Sequence, residues 1–88
     1  MAVMDEEPTP RFEPSMKLLS RIMKVILEKN SVGKTMLSQE SNVQYARLLK
    51  HLEWLEKRHF IESVVDDGKI GFKFTTLGKN FATMISLQ

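Results

Sequence analysis

The side chains with the clearest capacity for chemistry stand between positions 44 and 51, in a segment with helical spacing. Gln44, Arg47, Lys50 and His51 recur there on successive helical turns. An arginine fork can donate two hydrogen bonds to guanine, and a glutamine side chain can pair in the same way with adenine. A lysine can hold a phosphate without reading sequence. These residue types favour a surface that binds a nucleic acid, although a solvated helix face with no ligand would also account for the cations.

Catalysis has little support in the same residues. His51 and His59 are the only histidines, and neither has a carboxylate or nucleophile placed beside it by spacing. The chain has no cysteine, no glycine-rich phosphate loop and no metal-ligand pattern. We therefore expect no enzyme activity, no cofactor, no metal site and no evident small-molecule ligand.

Composition is that of one small globular domain. Apolar residues make up 42% and charged residues 27% of the 88 positions, and no stretch is apolar enough to cross a bilayer. The acidic start carries no export signal, so we expect a cytoplasmic protein. Residues 1–14 hold four carboxylates against one arginine, so the remainder is more basic than the formal net charge of +2 suggests. A basic folded part favours a polyanion partner.

The first 14 residues contain all three prolines and show no periodic pattern, so we expect an extended or mobile arm that Phe12 anchors to the core. Apolar spacing then predicts a first helix from a Ser15 cap to about residue 29 and a second over about 34–40, which buries Met36 and Leu37. Ser41 and Asn42 form the turn after it, with Val43 as an apolar plug. A third helix follows over about 45–58. The apolar stripe of the first helix is Leu18, Leu19, Ile22, Met23, Ile26 and Leu27.

The third helix sorts its residues into two faces. Leu48, Leu52 and Leu55 share a stripe with Tyr45, so we expect Tyr45 to pack in the core. Trp54 falls on the opposite, charged face, and His51 falls at its margin. An outward tryptophan either packs on a neighbouring loop or marks a contact surface, and the pattern favours neither.

A β-hairpin follows over residues 60–75. Asp67-Gly68 is a strong signal for a two-residue turn. This register pairs Ile61 with Phe74 and Asp66 with Lys69, and it places five apolar side chains on one face toward the helices. These five are Ile61, Val65, Ile70, Phe72 and Phe74.

A final helix begins at Thr75 or Thr76, and its glycine at position 78 permits a close approach. Its apolar side chains would form a lid on the core or half of a dimer contact. Together with Trp54, these candidate partner or dimer residues are Leu77, Phe81, Met84 and Ile85.

The order helix, helix, turn, helix, hairpin, helix is that of a winged helix-turn-helix, an α+β fold that is mostly α. The segments KTMLSQESNVQYARLLKHLEWLEKRHFIE, DDGKIGFKFT and TTLGKNF resemble the small archaeal and bacterial winged helix-turn-helix DNA-binding proteins. The resemblance covers about residues 15–88. It implies transcription regulation or chromosome-associated DNA binding, commonly as a dimer on double-stranded DNA. Where many relatives have glycine before the hairpin, this chain has His59.

Under this hypothesis, the third helix enters the major groove and the hairpin wing lies on the DNA backbone. The protein would then be found with the nucleoid. The predicted DNA-binding residues are Lys34, Thr35, Gln44, Arg47, Lys50, His51 and Lys69. The alternative is a winged-helix module that binds another protein and no DNA, because a fold does not fix a function.

Overall fold

The computed structural model describes residues 12–86, and most of the predicted arm over residues 1–14 lies outside them. Four helices and one hairpin follow each other in the predicted order. None of these helices is long and apolar enough to span a membrane. The elements are α1 (Met16–Lys29), α2 (Lys34–Ser41), α3 (Tyr45–Lys57), β1 (Ile61–Asp66), β2 (Lys69–Phe74) and α4 (Thr76–Ser86).

The first helix forms the centre of the core. Ser15 caps it as predicted, because the Ser15 hydroxyl accepts a hydrogen bond from the Leu18 amide at 3.2 Å. Most of the predicted stripe is buried, and Val25 joins it. Leu27 is 60% exposed, so its assignment to the core is wrong: the buried stripe is rotated toward Val25.

The second and third helices meet at a sharp turn. Asn42 adopts the left-handed conformation with φ 56°, which short polar side chains tolerate, and Val43 is buried as predicted. Helix α2 extends one residue beyond the prediction, to Ser41. Met36 is 49% exposed and not buried, because in this short helix only Leu37 among the apolar side chains points into the core.

The hairpin has the predicted register along its full length, from Ile61 opposite Phe74 to Asp66 opposite Lys69. Asp67 and Gly68 both have positive φ, as a type I′ turn requires. Val32 forms an isolated β-bridge with β2, since its backbone exchanges hydrogen bonds with Phe72 at 2.9 and 3.2 Å. No periodicity or turn signal around Val32 predicts this bridge.

Only the base of the hairpin packs on the helices. Ile61, Phe72 and Phe74 are buried, whereas Val65 and Ile70 are 73% and 61% exposed. The expectation that all five apolar side chains face the core is therefore wrong for this last pair. They lie one pair from the turn, where the helices leave most of the hairpin surface uncovered, although Ile70 lines a groove beside Lys34 and Leu49.

The last helix closes the core where the hairpin returns. Thr75 caps it, because its hydroxyl accepts from the Gly78 amide at 3.0 Å and donates to the His59 carbonyl at 2.6 Å. His59 itself has φ 63°, a conformation that glycine adopts at lower cost. Phe81 stacks on Phe60 with the ring centroids 4.3 Å apart.

The predicted apolar stripe of α4 divides into two parts. Phe81 and Ile85 are half-buried against the core, and Ala82 is buried. Leu77 and Met84 are 53% and 64% exposed. One side of α4 therefore covers the core, and the other side leaves two large apolar side chains exposed to solvent.

Gly78 allows α4 to pack closely on Phe60, in the loop that joins α3 to β1. A Cβ atom at this position would lie 1.7 Å from the Phe60 carbonyl oxygen, which is backbone and cannot rotate away. The winged-helix arrangement predicted from the element order is thus observed, and Gly78 is one of the contacts that closes it.

Replacing Gly78 with alanine should lower the free energy of unfolding by about 3 kcal/mol, because the added methyl forces α4 away from the Phe60 backbone. Urea unfolding followed by circular dichroism measures this loss. Asn80→Ala, on an exposed face of the same helix, is the matched control and should change stability by less than about 0.5 kcal/mol. Equal stability of Gly78→Ala and the parent chain would contradict this packing.

Candidate nucleic-acid interface

Helix α3 presents a polar surface because its leucines are buried on the other side. Leu48, Leu52 and Leu55 are at most 2% exposed, and this burial fixes which side chains face solvent. Gln44, Arg47 and Lys50 are all exposed, as predicted. Tyr45 is 46% exposed, so its predicted packing in the core is wrong. It begins α3, three residues before Leu48, the first buried leucine of the helix.

His51 does not lie on this surface. It is only 3% exposed, and both ring nitrogens are engaged: Nε2 accepts from the Ser15 amide at 3.1 Å, and Nδ1 lies 2.7 Å from the Arg47 carbonyl. Since Nε2 is the acceptor, the proton is on Nδ1 and donates to Arg47. His51 therefore joins the start of α1 to α3. Its predicted contact with DNA is wrong for this conformation.

The two helices of the helix-turn-helix begin with free backbone amides. Gly33 and Gln44 occupy the N-cap positions of α2 and α3, and neither makes a side-chain capping bond. No acidic residue lies in the first turn of either helix. By contrast, α1 and α4 are capped by the hydroxyls of Ser15 and Thr75. Free amides and the positive end of the helix dipole are features that favour a phosphate.

The predicted cations occupy different sides of α3. Arg47 and Lys50 line a cleft of about 340 Å³ together with Phe12 and Glu13. Lys34 instead lines a groove of about 400 Å³ between α2, α3 and the hairpin. This groove also contains Glu53 and Glu56, the carboxylates of α3. Its lining residues are Lys34, Leu49, Leu52, Glu53, Glu56, Ser63, Ile70 and Phe72.

The wing contributes little positive charge. Lys69 is exposed at the start of β2, directly after Asp66, Asp67 and Gly68. Thr35 is exposed in the first turn of α2, beside Lys34. The structure thus brings Gln44, Arg47 and Lys50 together at the start of α3, with Thr35 and Lys34 on the neighbouring helix and Lys69 out on the hairpin.

Trp54 belongs to an aromatic cluster and does not point freely into solvent. It is half-buried, with its ring centroid 6.1 Å from Phe60 and 6.2 Å from Phe81. The Arg58 guanidinium lies over its ring, with Cζ 4.2 Å from the centroid. Packing against its own chain, one of the two alternatives, therefore accounts for much of this side chain.

Arg21 supports the turn between α2 and α3, a role that sequence patterns did not reveal. Its Nε donates to the Ser41 carbonyl at 3.2 Å and a terminal nitrogen donates to the Asn42 carbonyl at 2.8 Å. A cation at these carbonyls also complements the negative end of the α2 dipole. Periodicity placed Arg21 on the solvated face of α1, and no pattern within one helix shows which neighbouring carbonyls it will meet.

Within residues 12–86, no group of three or more histidine, aspartate or glutamate side chains is placed to hold a metal ion. The groups at the start of α3 are one guanidinium, one ammonium, one side-chain amide and the uncapped backbone amides of its first turn, and they can form hydrogen bonds and attract an anion.

Comparison with known proteins bears on the fold. No protein-family model matches the chain, and no curated protein matches it with significance. Among solved structures, it is similar to a MarR family transcriptional regulator from Silicibacter pomeroyi DSS-3, with a TM-score of 0.68 at 15% identity. The alignment covers 83% of this chain and 52% of that chain, so this chain spans about half the length of that regulator. The likeness supports the winged-helix fold.

Removing the Arg21 side chain should loosen the turn that sets α3 against α2. We expect Arg21→Ala to lower the free energy of unfolding by about 1 kcal/mol, because two carbonyls lose a charged donor. Lys24→Ala removes the same charge from an exposed position of α1 and should be neutral within about 0.5 kcal/mol. Both values come from urea unfolding. If the two variants are equally stable, Arg21 does not support the turn.

Proposed function

We propose that this chain binds double-stranded DNA as a transcriptional regulator, with α3 in the major groove. The observation that carries the proposal is the absence of side-chain caps at the starts of α2 and α3, next to exposed Arg47 and Lys50. The winged-helix fold and its likeness to a MarR family transcriptional regulator support the same function.

Each residue has a defined role in this proposal. Arg47 reads guanine through its two-pronged guanidinium, and Gln44 reads adenine. Lys50 and Lys34 hold phosphates, and Thr35 adds a hydroxyl donor beside the free amides of α2. Lys69 reaches the DNA backbone from the wing. Its contribution is small because the hairpin carries three carboxylates, Glu62, Asp66 and Asp67, against Lys69 and Lys73.

A homodimer would let two copies of α3 meet adjacent major grooves about one helical turn apart. The surface that supports it includes exposed Leu77 and Met84 on α4, and Leu27 on α1. A groove of about 430 Å³ runs between these helices, and Ile85 and Ala82 form part of its floor. Phe81 and Trp54 pack within the chain, which leaves them less available for such a contact.

Protein binding without DNA is the second candidate function. It is favoured by the exposed Val65 and Ile70 near the tip of the wing, since an apolar cross-strand pair beside two aspartates is poorly suited to a phosphate backbone. Two results together would favour this alternative. Duplex DNA would leave the spectrum of the chain unchanged at low salt, and the chain would bind a protein partner that the Val65→Ser variant does not bind.

Lys50→Ala should weaken binding to every duplex by a similar factor, because a phosphate contact carries no sequence information. We also expect the slope of log K against log salt to fall by about one. Fluorescence anisotropy with labelled duplexes over a salt series measures both. Lys24→Ala, with the same loss of charge on α1, should leave the slope unchanged. If Lys24→Ala alters the slope as much as Lys50→Ala, the binding surface is not the one described.

Arg47→Ala should instead relax discrimination between duplexes. Once a preferred site has been selected from random sequence, we expect the variant to lose about 1–3 kcal/mol of preference for that site over a shuffled one. Competition binding at a single salt concentration gives this difference. A variant that keeps the full preference would show that Arg47 does not read a base.

A further inference from the structure

Phe12 holds the chain beside α3 immediately before α1 begins. Its ring stands edge-on to the His51 ring, with the centroids 5.0 Å apart and the planes at 88°. The side chain is still 39% exposed. Because His51 is buried and both of its ring nitrogens are hydrogen-bonded, this contact fixes the position of Phe12 beside α3.

Phe12 also separates two clefts that α3 lines with cations. One cleft, of about 340 Å³, contains Arg47 and Lys50. The other, of about 420 Å³, contains Lys50 again with Lys57 and Arg58, and has the edge of Trp54 in its wall. The two clefts form a continuous basic, partly aromatic strip along this side of α3, which we call the α3 strip. Its residues are Phe12, Arg47, Lys50, Trp54, Lys57 and Arg58. The clefts also contain Glu13 and Glu53, so four cations stand against two carboxylates there.

Most of the charge of the α3 strip is not neutralised within residues 12–86. The single ion pair there joins Lys57 to Glu53 at 3.4 Å. Arg47, Lys50 and Arg58 have no carboxylate at ion-pair distance in that part of the chain, although Arg58 lies over the Trp54 ring. Three cations on one side of one helix repel each other and attract an anionic occupant.

Residues 1–11, which lie outside the described residues, carry Asp5, Glu6 and Glu7 against Arg11. These carboxylates precede Phe12 by five to seven positions. An extended chain covers about 3.3 Å per residue, so they can reach about 16–23 Å from Phe12. A helix as long as α3 extends about 20 Å. The acidic residues are therefore tethered within reach of the whole α3 strip.

We propose that residues 1–11 bind the α3 strip and compete with nucleic acid for it. The docking itself follows from charge and tether, and only its regulatory effect depends on the proposed DNA binding. Tethering gives the segment a millimolar effective concentration, so weak ion pairs suffice. Such a competitor lowers weak, sequence-independent phosphate binding most, because a preferred site also supplies base contacts. The arm would thus raise selectivity.

A spin label tests the docking directly, and the absence of native cysteines makes the labelling site-specific. Val3→Cys in the full chain, coupled to a nitroxide, should broaden the backbone amide signals of Lys50, Lys57 and Arg58 and spare those of the hairpin. One molar salt should abolish the broadening, because it screens ion pairs. Broadening that is absent at low salt, or equal over all elements, would overturn the proposal.

The triple variant Asp5→Asn, Glu6→Gln, Glu7→Gln, compared with a control variant, separates the effect of the acidic arm from the effect of net charge. In the labelled chain it should remove the broadening, and in the unlabelled chain it should tighten binding to mixed-sequence duplex about three- to thirtyfold. The control Glu28→Gln, Glu40→Gln raises the net charge by two at exposed positions of α1 and α2, outside the α3 strip and the wing. It should keep the broadening and gain less affinity. Equal gains in affinity would show an effect of net charge alone.

The two proposals can fail separately. If the label broadens the α3 amide signals but duplex DNA binds neither the parent chain nor the triple variant, the docking stands and the proposed function fails. If duplex DNA binds the full chain and the label never broadens α3, the arm proposal fails and the proposed function stands.

Discussion

The burial of the α3 leucines in the common core is the constraint from which the rest of the surface follows. Leu48 and Leu55 have no exposed area, so α3 cannot rotate without opening the core. Gln44 and Lys50 are exposed because those leucines are not. Two sets of hydrogen bonds then hold α3 in this orientation. Arg21 binds the turn that precedes α3, and His51 joins the helix to Ser15 at the start of α1.

The polar groups that stabilise helix starts are distributed unevenly, and the distribution parallels the proposed interface. Ser15 and Thr75 satisfy the first amides of the two helices that form the body of the domain. The starts of α2 and α3 have no such partner and no acidic residue in the first turn, which costs stability that a side-chain cap would supply. The positions without caps are those that a winged helix presents to DNA. The carboxylates of the wing indicate that its hairpin has a lesser part in such a contact.

Features set by local geometry could be predicted from sequence. The Asp67-Gly68 turn fixes the hairpin register, and periodicity fixes the four helices to within about a residue at most ends. Features that depend on how elements dock could not. His51 and Arg21 have ordinary positions on their helices, and their partners are backbone atoms of other elements. Val65 and Ile70 fit the apolar face of the hairpin, but alternation does not show how much of that face the helices cover. The residues proposed to contact DNA remain predictions.

The most direct test of the account is a map of backbone amide shifts as duplex DNA is added to the isotope-labelled chain at low salt. The account predicts the largest changes in the first turns of α2 and α3, including Lys34, Thr35, Tyr45 and Arg47, with smaller changes at Lys69. Changes concentrated on α4, or on Val65 and Ile70 without α3, would contradict it. A spectrum that duplex DNA leaves unaltered would contradict DNA binding as a whole.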